Sequence, residues 1–147
     1  MMGWLFFTTA IAGADNASYL VLTDLSGAQH RLPQSAGKWL IINYWATWCP
    51  PCLEEMPELV TLYDDRRADV MVIGVVFDDE NVEEVKRYVD DMLISYPIVL
   101  GNKTIIEKIG SAAVLPTTYI FNPQGKLIKV KHGIVSRQYV ETIMLAK

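Results

Sequence analysis

The chain has 147 residues, a formal net charge of −4 and an isoelectric point near 5.1. That length suits one domain, and a hydrophobic content of 51% is enough to bury a core without disulfide staples. No basic run exceeds the pair Arg66-Arg67, so the positive stripe that nucleic-acid binding needs is missing.

Residues 1–14 carry no charged side chain and end in Ala12-Gly13-Ala14 ahead of Asp15. The small residues fit the cleavage site of an export signal, although the basic start of such a signal is lacking. The stretch is too short to cross a bilayer as one helix. An apolar first strand or a disordered tail is the alternative reading. Residues 15–147 read as the folded domain.

Residues 19–23 and 28–32 flank Asp24-Leu25-Ser26-Gly27 and predict a β-hairpin. Pro33 to Lys38 reads as a loop. The continuous apolar run Trp39-Leu40-Ile41-Ile42-Asn43-Tyr44-Trp45 predicts a buried strand. From Pro50 to about Arg67, Leu53, Met56, Leu59, Val60 and Tyr63 recur at helical spacing. Pro50 suits a first turn, and Pro57 is expected to kink the helix. Glu54 and Glu55 read as a solvated helical face that complements the dipole. Residues 70–77 form a second buried strand, and 81–92 a helix with Val82, Val85, Val89 and Met92 as its apolar stripe. A short extended segment over 96–100 and a short helix over 104–109 follow. Residues 116–121 and 126–132 form a hairpin across the turn Asn122-Pro123-Gln124-Gly125, and 136–146 a last helix. The order predicts an α/β fold with a mixed central sheet flanked by helices, preceded by the hairpin.

The two cysteines of the chain stand in Trp48-Cys49-Pro50-Pro51-Cys52, where a strand hands over to a helix. A Cys-x-x-Cys beside a βαβ pattern reads as a dithiol redox site. The helix N-terminus and its dipole favour a thiolate, while Pro50 and Pro51 remove two donors. Cys49 is the expected nucleophile and Cys52 the resolving thiol. Two buried structural cysteines are the bland alternative. A tetrahedral metal site would need both His30 and His132 as well, so no metal is expected. Those histidines read as surface residues of the hairpins. Trp39, Tyr44 and Trp45 read as core, and Trp48 as a flank of the dithiol.

These residues resemble the thioredoxin superfamily. Residues 42–52, then Glu55-Met56-Pro57, Val114-Leu115-Pro116-Thr117-Thr118-Tyr119-Ile120 and Asn122-Pro123-Gln124-Gly125, are similar to its TlpA/ResA/DsbE-like branch of bacterial extracytoplasmic thiol–disulfide oxidoreductases. The resemblance implies a thioredoxin-like fold and a protein-disulfide reductase of periplasmic or extracytoplasmic location. Its substrates would be disulfide-containing exported proteins, such as apocytochrome c or copper-delivery proteins. Electrons would come from a membrane thiol donor, with no cofactor beyond the Cys49–Cys52 pair, and the protein would act as a monomer. Pro116 matches the cis-proline facing the dithiol. Trp48, Pro50, Pro51 and Leu115 would line the substrate contact. Asn43 departs from the buried aspartate of cytoplasmic-type thioredoxins, and the resemblance points to Asp79, with Asp78 close by, as the proton acceptor for Cys52. Asp78-Asp79-Glu80 also reads as a solvated loop and helix cap. A disulfide oxidase or isomerase, a metal carrier and a binding module on the same fold are the competing functions. A peroxidase of this fold would place Thr where Ala46 stands.

Overall fold

The structure, a computed structural model, describes residues 19–32, 37–77 and 81–146. The expected roles of residues 1–14 and of Asp78, Asp79 and Glu80 lie outside the described residues.

Trp39–Trp45 forms β3, the middle strand of a five-stranded sheet. Its apolar run is continuous because the strand is covered on both faces. It pairs in parallel with β4, Val70–Val76, and antiparallel with β6, Thr117–Phe121. The edges are β5, Ile98–Leu100, beside β4, and β7, Leu127–His132, beside β6. The order β5-β4-β3-β6-β7 is the expected mixed sheet. The expected first hairpin forms as β1, Leu20–Thr23, and β2, Gln29–Leu32. Its turn is tied to the β5 edge by Leu25 N–H donating to Ile98 O at 2.8 Å.

Alternation along β3 divides the core. Leu40, Ile42 and Tyr44 face one layer with Leu22, Leu32 and Tyr119. Ile41 and Trp45 face the other, against the longest helix, α1, Pro50–Asp65. This helix buries Cys52, Glu55, Met56, Leu59 and Leu62, and holds Pro57 within it. Glu55 is thus not on a solvated face: its side chain is fully buried, because three residues after Cys52 and four before Leu59 place it on the inward stripe. Glu54 is exposed, as expected.

The three shorter helices among the described residues start on side-chain caps. Asn81 accepts from Glu83 N–H at the start of α2, Val82–Asp91. Asn102 accepts from Ile105 N–H before α3, Lys103–Ile109, and Ser136 from Tyr139 N–H before α4, Arg137–Leu145. The expected stripe on α2 is only half realised. Val85 is buried and Val89 packs against the core, but Val82 and Met92 at the two ends are exposed. His132 is exposed, whereas the His30 ring is mostly covered and pairs with Asp24 at 2.7 Å.

Gly74 of β4 is a fixed point of the packing. A Cβ there would lie 2.6 Å from Ile98 Cδ1 and 3.0 Å from both Trp45 Nε1 and Tyr96 Cε2. We expect Gly74→Ala to destabilise the protein by about 1–3 kcal/mol through overpacking, read as a lower midpoint in urea unfolding.

Candidate active site

Strand β3 ends at Trp45 and α1 begins at Pro50, so the intervening turn delivers Cys49 to the helix start. Cys49 is itself the N-cap residue, and its side chain makes no capping hydrogen bond. Pro50 and Pro51, both exposed, fill the first helical positions and offer no N–H. The next two amides, of Cys52 and Leu53, point at the Cys49 carbonyl, at 3.0 and 3.3 Å. A Cys49 thiolate therefore gains the helix dipole but few direct amide donors.

Cys49 and Cys52 are joined as a disulfide with Cα atoms 5.3 Å apart. Cys49 is 4% exposed and Cys52 fully buried. The sulfur nearer the surface is the one an incoming thiol or disulfide reaches first. Beside it Trp48 stands out, 67% exposed. Trp48, Cys49, Phe77, Ile106, Ala112 and Leu115 line one mostly apolar groove of about 590 Å³. The peptide bond between Leu115 and Pro116 is cis, as the resemblance implied, and Pro116 is buried. The structure thus gathers Trp48, Cys49 and Leu115 at one groove, with Pro50, Pro51 and Pro116 adjoining in sequence. Asp79 lies outside the described residues.

Sequence reasoning missed a buried acid. Glu55 sits three residues after Cys52 on α1, a spacing that puts both on one helix face. Asn43 Nδ2 donates to its Oε1 at 2.6 Å, and Val135 N–H donates to its Oε2 at 2.9 Å. Asn43 Nδ2 also donates to Thr118 Oγ1 at 3.1 Å, and Asn43 and Thr118 are register partners across β3 and β6. Burial pushes the Glu55 carboxyl up to about 7. The Val135 and Asn43 hydrogen bonds and the charge of Lys131 oppose the rise without cancelling it. A carboxyl that titrates near neutrality beside a resolving thiol can take up and return a proton.

The AhpC/TSA family model matches residues 14–130. The chain belongs to the AhpC/TSA family. Within that family it is similar to the thiol-disulfide oxidoreductase ResA of Geobacillus thermodenitrificans, at 32% identity over 92% of this chain and 79% of that protein. ResA of Bacillus subtilis is 27% identical over 97% of this chain and 83% of its own length. Among solved structures, StoA from Bacillus subtilis superposes with a TM-score of 0.75 at 24% identity, over 86% of this chain and 96% of that one. A secreted thiol-disulfide isomerase from Corynebacterium glutamicum gives a TM-score of 0.77 at 23% identity, over 97% of both chains. These two structures establish the thioredoxin-like fold. The ResA relatives, together with the Cys49–Cys52 disulfide, make this AhpC/TSA family member a thiol–disulfide oxidoreductase.

Glu55 gives the fold a pH signature. Unfolded, the carboxyl releases its proton near 4.5, and folded it keeps it to about 7. The folded state binds more protons between those values, so stability falls as pH rises through that window. The loss amounts to on the order of 3 kcal/mol. Urea unfolding of the oxidised protein at pH 5 and pH 8 should show it, and Glu55→Gln should lack this part of the slope.

Proposed function

We propose that the protein reduces disulfides of exported proteins, with Cys49 as nucleophile, Cys52 as resolving thiol and Glu55 as proton acceptor. The observation that carries this reading is the buried Glu55 carboxyl, one helical turn from Cys52 and poised near neutrality.

In the reduced protein, the Cys49 thiolate attacks one sulfur of a substrate disulfide. A mixed disulfide forms, and the other substrate sulfur leaves as a thiolate. The Cys52 thiol gives its proton to Glu55. The resulting Cys52 thiolate attacks Cys49 Sγ, the Cys49–Cys52 bond forms, and the second substrate sulfur leaves. Two electrons pass to the substrate, whose two thiolates take up protons. Trp48 and Leu115 hold the substrate chain along the apolar groove, with Pro116 next to Leu115, and Pro50 and Pro51 keep the turn beneath it free of competing donors.

Export is supported by the apolar start of the chain and by the secreted isomerase among its structural neighbours. Cysteine pairs of apocytochrome c or of copper-delivery proteins are the substrates proposed. A membrane thiol donor would restore the dithiol.

The test is the reduction potential of Cys49/Cys52, followed by tryptophan fluorescence in glutathione or dithiothreitol buffers. A value near about −270 mV supports a reductant, and one near about −120 mV overturns it in favour of a disulfide-forming oxidase. Single variants separate the roles. Cys52→Ser should accumulate the mixed disulfide on Cys49, and Cys49→Ser should form none, as seen by non-reducing electrophoresis and mass spectrometry. Glu55→Gln should slow release of substrate from the mixed disulfide by about 100-fold at pH 8, in stopped-flow measurements, and flatten its rise with pH through about 7.

A further inference from the structure

Among the described residues, four buried side-chain atoms have no hydrogen-bond partner in the protein: Asn43 Oδ1, Trp45 Nε1 and the hydroxyls of Tyr88 and Tyr96. Three of these side chains converge over Gly74. Asn43 is the register partner of Gly74, and Trp45 lies two residues on, on the same face of β3. A Cβ on Gly74 would be 3.0 Å from Trp45 Nε1 and 3.0 Å from Tyr96 Cε2. The three orphan groups differ in kind. Trp45 Nε1 only donates, Asn43 Oδ1 only accepts, and the Tyr96 hydroxyl does both. That set is what one enclosed water molecule satisfies, since such a water makes about three hydrogen bonds to buried polar groups.

Glu55 belongs to the same neighbourhood. Its Oε1 is held by the Asn43 carboxamide, and its charge raises the Tyr96 phenol, next after burial among the causes of that rise. Each Glu55 oxygen accepts one hydrogen bond and has a lone pair left over. The Tyr96 hydroxyl is itself buried, away from solvent.

We propose that Tyr96 is a positioning residue for Glu55: its hydroxyl and one enclosed water, shared with Trp45 Nε1 and Asn43 Oδ1, donate toward the Glu55 carboxylate and hold its ionised form. Its effect on substrate release rests on Glu55 being the acceptor for Cys52. The described ionisable groups that act on Glu55 are Lys131 from β7 and Tyr96, beside Cys52 on its own helix. Facing it, β3 presents the uncharged Asn43, and the stretch ahead of α4 presents the Val135 amide.

The experiment is a carbon-13 NMR titration of the Glu55 carboxyl in the oxidised protein, in wild type, Tyr96→Phe and Tyr119→Phe. Tyr96→Phe removes one hydroxyl from the network and leaves the ring that packs on Gly74. Loss of that donor should make Glu55 bind its proton about tenfold more tightly, raising its midpoint by about one pH unit. Release of substrate from the mixed disulfide at pH 7 should slow several-fold in the same variant. Tyr119→Phe, which removes a hydroxyl that donates to Ser111 O in the opposite core layer, should leave both readouts at their wild-type values. An unchanged Glu55 midpoint in Tyr96→Phe, or an equal rise in Tyr119→Phe, overturns the proposal. If the midpoint rises in Tyr96→Phe while Glu55→Gln releases substrate at the wild-type rate, the contact stands. Only the acceptor role of Glu55 is then overturned.

Discussion

Burying one carboxyl shapes this molecule. Glu55 is taken wholly out of water by the same helical stripe that packs Met56, Leu59 and Leu62 onto the sheet. A charge there is costly, so the surroundings compensate with two donors from separate parts of the chain. Asn43 supplies one from the middle of the central strand, and Val135 supplies the other from the approach to the last helix. Those bonds span 12 and 80 residues of sequence, so the carboxyl ties α1 to both ends of its own layer. Burial outweighs the compensation, and this imbalance makes the group useful: a fully satisfied carboxylate would stay ionised, and a solvated one would titrate far below neutrality.

The start of α1 shows a second compromise. Among the described residues, the other three helices are capped by Asn81, Asn102 and Ser136, each accepting a backbone N–H. The longest helix has Cys49 at its cap position instead, with no capping bond and with prolines at its first two positions. Such a cap forgoes about 1 kcal/mol relative to serine or asparagine. The loss is offset by pre-set proline backbone and by the packing of a helix that buries five side chains. The position most exposed to the helix dipole is thereby reserved for a sulfur. Because Cys49, Cys52 and Glu55 sit on one helix start, their mutual spacing is set by a rigid element rather than by a loop.

The strands and helices were legible because their signals were strong and local. Continuous apolar runs at 39–45 and 70–76 could only be central strands once a helical stripe separated them, and Asn122 to Gly125 marked the last hairpin. The cysteine pair was legible from its spacing alone. Glu55 was misread because an acidic pair near a helix start has a ready surface explanation in the dipole. The periodicity held the better signal: Cys52, Met56 and Leu59 define a buried face, and residue 55 falls on it whereas residue 54 does not. The ends of α2 failed for the opposite reason. Val82 and Met92 keep the period, yet they lie at the helix ends, and only the middle of the stripe packs on the core. The covering of His30 depended on a partner six residues away across a turn, which periodicity does not report.

Asn43 links the sheet to the chemistry. An aspartate at this place would set a second carboxylate within hydrogen-bond distance of Glu55, and like charges that close cannot both ionise. The carboxamide avoids that conflict. Its Nδ2 supports the ionised Glu55 while Thr118, paired with it across the sheet, takes the second proton of the same nitrogen. The uncharged residue on the strand and the acid on the helix therefore form one device. Moving the carboxyl from strand to helix places it one turn from the resolving sulfur, on the element that also carries the nucleophile. The strand then contributes only orientation, which a central strand with neighbours on both sides is well suited to hold.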